Sequence, residues 1–255
     1  WSVAGRANAA YSHEREPNDD IRSATPAAAG VLRAVVVPKR DSLVDVDTFY
    51  FERPDAHAVF VAELPGRDGV DFVVRAVDDR GRVLASSDRG AGGVGERLDN
   101  VRVSGAGVYV SVWAMLVDAA EDRPAYELRG RFRHPYDGEE IEPNDTSPQP
   151  FEGIAVGVLS GVADVDRFAL PADAATGEIT LRITGVPRTD LALTVSDQAG
   201  SRLPTIDRGG VGEGEEATVE ITPRTFVGVP YVEVSATRAE GDHLTYRLEV
   251  TRRPE

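Results

Sequence analysis

The segment Glu14-Arg15-Glu16-Pro17-Asn18-Asp19 recurs as Glu140-Ile141-Glu142-Pro143-Asn144-Asp145, and Asp45-Val46-Asp47-Thr48-Phe49 recurs as Asp164-Val165-Asp166-Arg167-Phe168. Asp71, Gly81 and Asp88-Arg89-Gly90 then match Asp190, Gly200 and Asp207-Arg208-Gly209, at the same spacing as the second pair. One short match has little weight, but a series kept in one order marks an internal duplication. The 255 residues therefore read as two modules of ordinary domain size rather than one large domain.

Within each copy, short apolar runs end at Gly, Pro, Asn and Asp, the pattern of strands joined by turns. Eight strands are expected in the first copy, near residues 31–37, 48–53, 58–64, 71–78, 82–86, 96–103, 107–114 and 125–132. The second copy repeats them near residues 154–160, 166–170, 177–184, 191–195, 202–205, 217–221, 229–235 and 244–251. Alternation supports the assignment: Tyr246, Leu248 and Val250 share one face and Arg247, Glu249 and Thr251 the other. Tyr126, Leu128 and Phe132 stand in the same way opposite Glu127, Arg129 and Arg131. No segment keeps a helical period. The expectation is an all-β chain of two tandem jelly-roll-like β-sandwich domains. Residues 1–13 form an N-terminal arm, 14–132 the first sandwich, 133–139 a linker with Pro135 and Gly138, and 140–255 the second sandwich.

Charge and composition narrow the partners. There are 43 acidic residues against 28 basic ones, a formal charge of -15, which repels phosphate backbones and anionic lipid and so argues against nucleic acid and membrane surfaces. The apolar stretch at 108–117 is interrupted by Ser111 and is too short to span a bilayer. Cysteine is absent, which removes disulfides, thiolate nucleophiles and sulfur-ligated zinc. The chain begins at Trp1, and the small-residue run 4–10 suits a position just after a cleaved signal, so a secreted, cell-surface or periplasmic piece of a larger polypeptide is expected.

The combination of Glu-x-Glu-Pro-Asn-Asp, an Asp-x-Asp-x-Phe strand start and a late Gly-x-Tyr strand resembles the bacterial pre-peptidase C-terminal domain family. The collagen-binding modules of clostridial collagenases are similar in the same way. The resemblance covers nearly the whole chain, twice. It implies a non-catalytic sandwich attached to secreted proteins, with calcium held by acidic residues of the N-terminal arm.

The side chains themselves suit such an ion. Calcium takes about six to eight hard oxygens at about 2.3 to 2.6 Å, from carboxylates, amide carbonyls and backbone. Glu14, Glu16, Asn18, Asp19, Asp45 and Asp47 offer them in the first copy, and Glu140, Glu142, Asn144, Asp145, Asp164 and Asp166 in the second. Without a cation a carboxylate pair near 4 Å repels by about 1 kcal/mol in water and about 4 at an effective dielectric of 20. The competing reading is a plain turn, with Pro presetting φ and Asn or Asp accepting local backbone bonds.

No Gly-x-Ser-x-Gly elbow, His-Glu-x-x-His helix or P-loop is present, and His13, His57, His134 and His243 stand in no metal-binding or nucleophile-pairing arrangement. The Asp-Arg-Gly segments read as turns rather than phosphate cradles. On the strand at 107–114, Val108, Val110 and Val112 alternate with Tyr109, Ser111 and Trp113, which makes Tyr109 and Trp113 the candidate ligand-binding surface. Two functions follow: an accessory or adhesive module for an extracellular protein or polysaccharide, or a structural or secretion-associated spacer with no ligand beyond calcium.

Overall fold

The computed structural model describes residues 12–37, 45–89, 92–117, 123–172, 174–239 and 244–252. The chain divides into two compact units, Trp1–Pro135 and Tyr136–Glu255. Unit 1 contains β1 (Thr25–Ala27), β2 (Gly30–Val35), β3 (Asp47–Glu52), β4 (Val59–Leu64), β5 (Val70–Val77), β6 (Val83–Ser87), β7 (Glu96–Arg102), β8 (Gly107–Val117) and β9 (Ala125–Arg133). Unit 2 contains β10 (Gln149–Pro150), β11 (Ile154–Leu159), β12 (Val165–Ala169), β13 (Gly177–Ile183), β14 (Thr189–Ser196), β15 (Glu215–Ile221), β16 (Tyr231–Ala239) and β17 (Leu244–Arg252). No helix occurs among the described residues, and hence none long and apolar enough to cross a membrane.

Each unit is a jelly-roll-like sandwich of two sheets. In unit 1 the orders are β1-β3-β8-β5-β6 and β2-β9-β4-β7; in unit 2 they are β10-β12-β16-β14 and β11-β17-β13-β15. The second set repeats the first strand for strand, except at β6. There the segment read as a strand at 202–205 makes only isolated bridges, Ser196 to Arg202 and Leu193 to Ile206. Leu203-Pro204 interrupts it, and proline cannot donate to a ladder. Two short strands were not expected: β1 pairs parallel with β3, and β10 parallel with β12.

The alternation that suggested the strands sets the two faces. On β17, Leu244, Tyr246, Leu248 and Val250 are buried while Thr245, Arg247 and Thr251 are exposed. Inward residues from both sheets meet in one core per unit, around Phe49, Phe60, Phe72 and Leu128 in unit 1 and Phe168, Leu181, Leu193 and Leu248 in unit 2. The duplicated turns also match. Asp78 Oδ1 accepts the amides of Arg80 and Arg82 at 2.9 Å each, and Asp197 Oδ1 those of Ala199 and Ser201 at 2.9 Å each. Gly81 and Gly200 complete these turns at φ 77° and 87°, a region open to glycine at little cost.

The segment read as a linker is taken up at both ends. Arg133 closes β9, and Glu139 bridges to Val156 beside β11. In unit 1 the arm behaves likewise, with His13 bridging to Arg33 of β2; residues 1–11 of the expected arm lie outside the described residues.

Gly130 is the inward position of β9 that carries no side chain. A Cβ there would lie 2.6 Å from Phe51 Cζ and 3.1 Å from Phe60 Cζ. Gly130→Ala should therefore destabilise unit 1 by about 1 to 3 kcal/mol through overpacking. Urea unfolding followed by tryptophan fluorescence reads this directly, since Trp113 stands on β8 of unit 1 and residues 136–255 contain no tryptophan. An unchanged midpoint would contradict the packing.

Candidate metal centre

In unit 1 the arm runs beside β2, with Arg33 N–H donating to Ser12 O at 2.9 Å and Glu14 N–H to Arg33 O at 3.1 Å. This places Glu14 Oε1 to accept the Val35 amide at 2.9 Å. Glu16 Oε2 accepts the Asn18 amide at 3.0 Å, and Asn18 O accepts Thr48 N–H at 3.0 Å. The chain is thereby folded over the start of β3. Asp47, the first residue of β3, has no exposed surface, and its Oδ2 accepts the Tyr126 hydroxyl at 2.6 Å. Ligand oxygens of Glu14, Glu16 and Asp47 lie within 4.8 Å of one another.

Unit 2 rebuilds this arrangement. Glu140 N–H donates to Val156 O at 2.9 Å, Glu140 Oε2 accepts the Val158 amide at 2.6 Å, and Glu142 Oε2 accepts the Asn144 amide at 3.0 Å. The Tyr246 hydroxyl donates to Asp166 Oδ2 at 2.5 Å. Glu140, Glu142 and Asp166 again lie within 4.8 Å of one another.

Some buried oxygens in both clusters lack a partner. They are Glu14 Oε2, Asp47 Oδ1 and Asn18 Oδ1 in unit 1, and Asp166 Oδ1 and Asn144 Oδ1 in unit 2. Asn18 and Asn144 are both fully buried. Asn144 Nδ2 donates to Glu140 Oε1 at 3.0 Å, so the unpartnered atom there is the carbonyl oxygen. An unsatisfied buried polar group costs about 1 to 3 kcal/mol, and more when charged. Oxygen-only donor sets of this kind fit a hard divalent cation.

The other expected ligands stand at the margin. Asp45 is buried and its Oδ2 accepts the Val37 amide. Asp164 Oδ2 likewise accepts the Ser160 amide at 2.5 Å. Each leaves one oxygen uncommitted to these bonds. Asp19 and Asp145 are exposed and belong to neither three-carboxylate group.

Burial dominates the electrostatics. It pushes Asp47 up to about 8, with Glu14, Asp45 and Glu16 adding repulsion and the Tyr126 bond opposing it. Glu142 rises to about 9 through burial and then repulsion from Glu140, Asp164 and Asp145. Glu14, Glu140, Asp164 and Asp166 are also raised, burial being the largest cause in each.

Tyr126 and Tyr246 join the candidate site, although the sequence reading placed them only on one face of the last strands with Leu128 and Leu248. They occupy matching positions on the last strands, opposite Ala34 and Gly157. The available signal was a phenol recurring at an inward position in both copies, since a buried tyrosine hydroxyl needs a partner.

Tyr109 and Trp113 share one face of β8, as alternation requires, but both are half-buried rather than freely exposed. The Tyr109 ring lies 4.9 Å from that of Tyr50, and the Arg75 guanidinium covers the Trp113 ring at 4.9 Å. At the equivalent place in unit 2, Arg167 pairs with Glu233 at 3.1 Å and lies over Tyr231 at 5.5 Å. The Asp-Arg-Gly amides are similarly occupied. Arg89 N–H donates to Glu96, and the Arg208 and Gly209 amides donate to Glu215 at 2.9 and 2.7 Å. Among the histidines, His134 pairs with Asp55 at 2.9 Å, and His243 lies outside the described residues.

No family model matches the chain and no curated protein matches it. Among solved structures, it is similar to the PBSX exported protein XepA at 10% identity and a TM-score of 0.30, covering 86% of each chain. It is similar to a chain of broad bean stain virus at 7% identity and a TM-score of 0.27, covering 88% of each. A third likeness is to the CUB1-EGF-CUB2 domains of rat MASP-1, at 9% identity and a TM-score of 0.25, over 90% of this chain and 100% of that one. Likenesses at these scores identify no family.

The raised carboxyls fix a sign for the metal-free protein. A group whose native pKa exceeds its unfolded value, about 4 for Asp and Glu, holds its proton more tightly when folded. Its contribution is full below the unfolded value and is lost as the pH climbs through the native one, about 8 for Asp47 and about 9 for Glu142. In chelator, the thermal midpoint should fall between pH about 5 and about 9, and a saturating divalent cation should flatten that fall. A metal-free midpoint that rises over the interval would contradict the assignment.

Proposed function

We propose that the chain is a non-catalytic pair of calcium-stabilised modules of the pre-peptidase C-terminal type, acting outside the cell as an accessory or adhesive unit for a protein or polysaccharide. One observation carries the calcium reading: the same arm, strand start and terminal-strand tyrosine converge in both units on buried oxygens that lack partners. Glu14, Glu16, Asn18 and Asp47 would hold the first ion, with Asp45 at the margin. Glu140, Glu142, Asn144 and Asp166 would hold the second, with Asp164 in the corresponding place. A bound cation turns mutual repulsion into attraction and ties the arm to the sandwich, a role suited to a chain without cysteine. Extracellular calcium sites dissociate at about 0.1 to 1 mM, which matches a compartment where the ion is abundant.

A non-catalytic role accords with the same geometry. Asp47 and Asp166 have no exposed surface, so neither can reach a substrate as acid, base or nucleophile. The contact of Tyr109 with Tyr50 and of Arg75 with Trp113 favours a second reading, a structural or secretion-associated spacer with no ligand beyond calcium. Retention on collagen, polysaccharides or cell-surface fractions separates the two, because a spacer is not retained.

Calorimetric titration of calcium into chelator-treated protein should give close to two sites. Asp47→Asn and Asp166→Asn should each remove one of them. A tenfold excess of ion over its dissociation constant should add about 1.4 kcal/mol of stability per site. Absence of heat together with an unchanged unfolding midpoint would overturn the calcium reading.

A further inference from the structure

The outer faces of two equivalent sheets differ in sign. On the sheet β2-β9-β4-β7 of unit 1, the residues facing away from the core include exposed Arg33, Arg97, Arg102, Arg129 and Arg131. The acids on that face are Glu63, Asp99 and Glu127. Some of this charge is matched internally: Arg33 and Arg129 lie 3.0 and 3.7 Å from Glu127, and Arg97 lies 2.7 Å from Asp99. Among the described residues, the side chains of Arg102 and Arg131 make no ion pair or hydrogen bond.

On the matching sheet β11-β17-β13-β15 of unit 2, the outward acids are Glu178, Glu216, Glu220 and Glu249, against Arg182 and Arg247. Arg182 lies 3.7 Å from Glu216 and Arg247 2.7 Å from Glu249. One face thus carries surplus positive charge in a chain of net -15, and its counterpart carries surplus negative charge. Both faces also expose β-branched apolar side chains on their edge strand: Val31 at 46% on β2, Ile154 at 46% and Val156 at 38% on β11.

We propose that the arginine face of unit 1 docks against the glutamate face of unit 2 of a second copy of this chain. Two sheet faces of like strand spacing can set guanidinium groups against carboxylates, and arginine forms bidentate pairs with carboxylates in preference to point contacts. The apolar edges favour this occupant over a linear polyanion, which offers charge but nothing to cover Val31. The contact is heterologous, so it generates open assemblies unless it closes on itself. It does not depend on the calcium sites, which lie at the arm and the start of β3 and β12.

Sedimentation velocity on calcium-saturated full chain tests the proposal. Association should strengthen with concentration and weaken by at least about tenfold between about 0.05 M and about 0.5 M salt, where screening shortens the reach of the charges. Two surface variants separate the faces: Arg102→Glu/Arg131→Glu makes both faces acidic, and Glu216→Arg/Glu220→Arg makes both basic. Each alone should stay monomeric, and an equimolar mixture of the two should assemble again. Calcium stoichiometry, measured on both, should equal that of the parent, so a lost metal site is distinguished from a lost contact. A parent that stays monomeric at every concentration, or a mixture that fails to assemble, overturns the proposal. So does heparin binding without self-association.

Discussion

Three stretches distant in sequence meet at one small volume in each unit: the segment with its glutamates and asparagine, an aspartate at the start of a core strand, and a tyrosine from the last strand. Their meeting is costly by itself. Moving carboxylates out of water carries a penalty of several kcal/mol per ion that mutual repulsion only increases. The chain has two ways to meet that cost, by keeping protons on the carboxyls or by admitting a cation. Burial pushes Asp47 up to about 8 and Glu142 up to about 9, the direction that keeps protons on these carboxyls. On the proposed calcium reading a cation would compete for the same oxygens, so that proton and metal would be alternative occupants of one cluster.

The tyrosines decide which oxygen is left over. Tyr126 donates to Asp47 Oδ2 and Tyr246 to Asp166 Oδ2, and in both cases Oδ1 has no partner. A single donor on each aspartate thus holds one carboxylate oxygen and leaves the other without a partner in a cluster of acids within 4.8 Å of one another. The backbone plays the same part for the glutamates, with Val35 and Val158 amides each holding one oxygen of Glu14 and Glu140. Such orientation lowers the reorganisation needed when an ion enters.

Much of this was legible in the residues because duplication made it so. The carboxylates recurred in register, and alternation on β9 and β17 was strong enough to fix which side of each strand faces inward. The strands β1 and β10 were not legible, since runs as short as Thr25–Ala27 and Gln149–Pro150 carry no period and owe their conformation to parallel pairing with β3 and β12. The segment at 202–205 failed for the opposite reason: its composition resembled β6, but Pro204 removed a donor. Partners across strands, such as Arg75 over Trp113 or Tyr50 beside Tyr109, depend on register between distant segments, and alternation alone cannot supply that.

The two copies differ where physics permits it. Inward positions are constrained by close packing, and the clustered carboxylates and their tyrosine by the bonds they share in the buried interior, so both recur. Outer faces answer to neither constraint. On the outer face of β8 one unit sets Arg75 over Trp113, where the other sets Arg167 over Tyr231 and pairs it with Glu233. The sheets built from β2 and β11 have diverged in charge as well. A change of sign between equivalent faces is hard to obtain from solubility alone, for which added acid on both faces would serve a chain of this net charge. The proposed contact between copies would account for that difference.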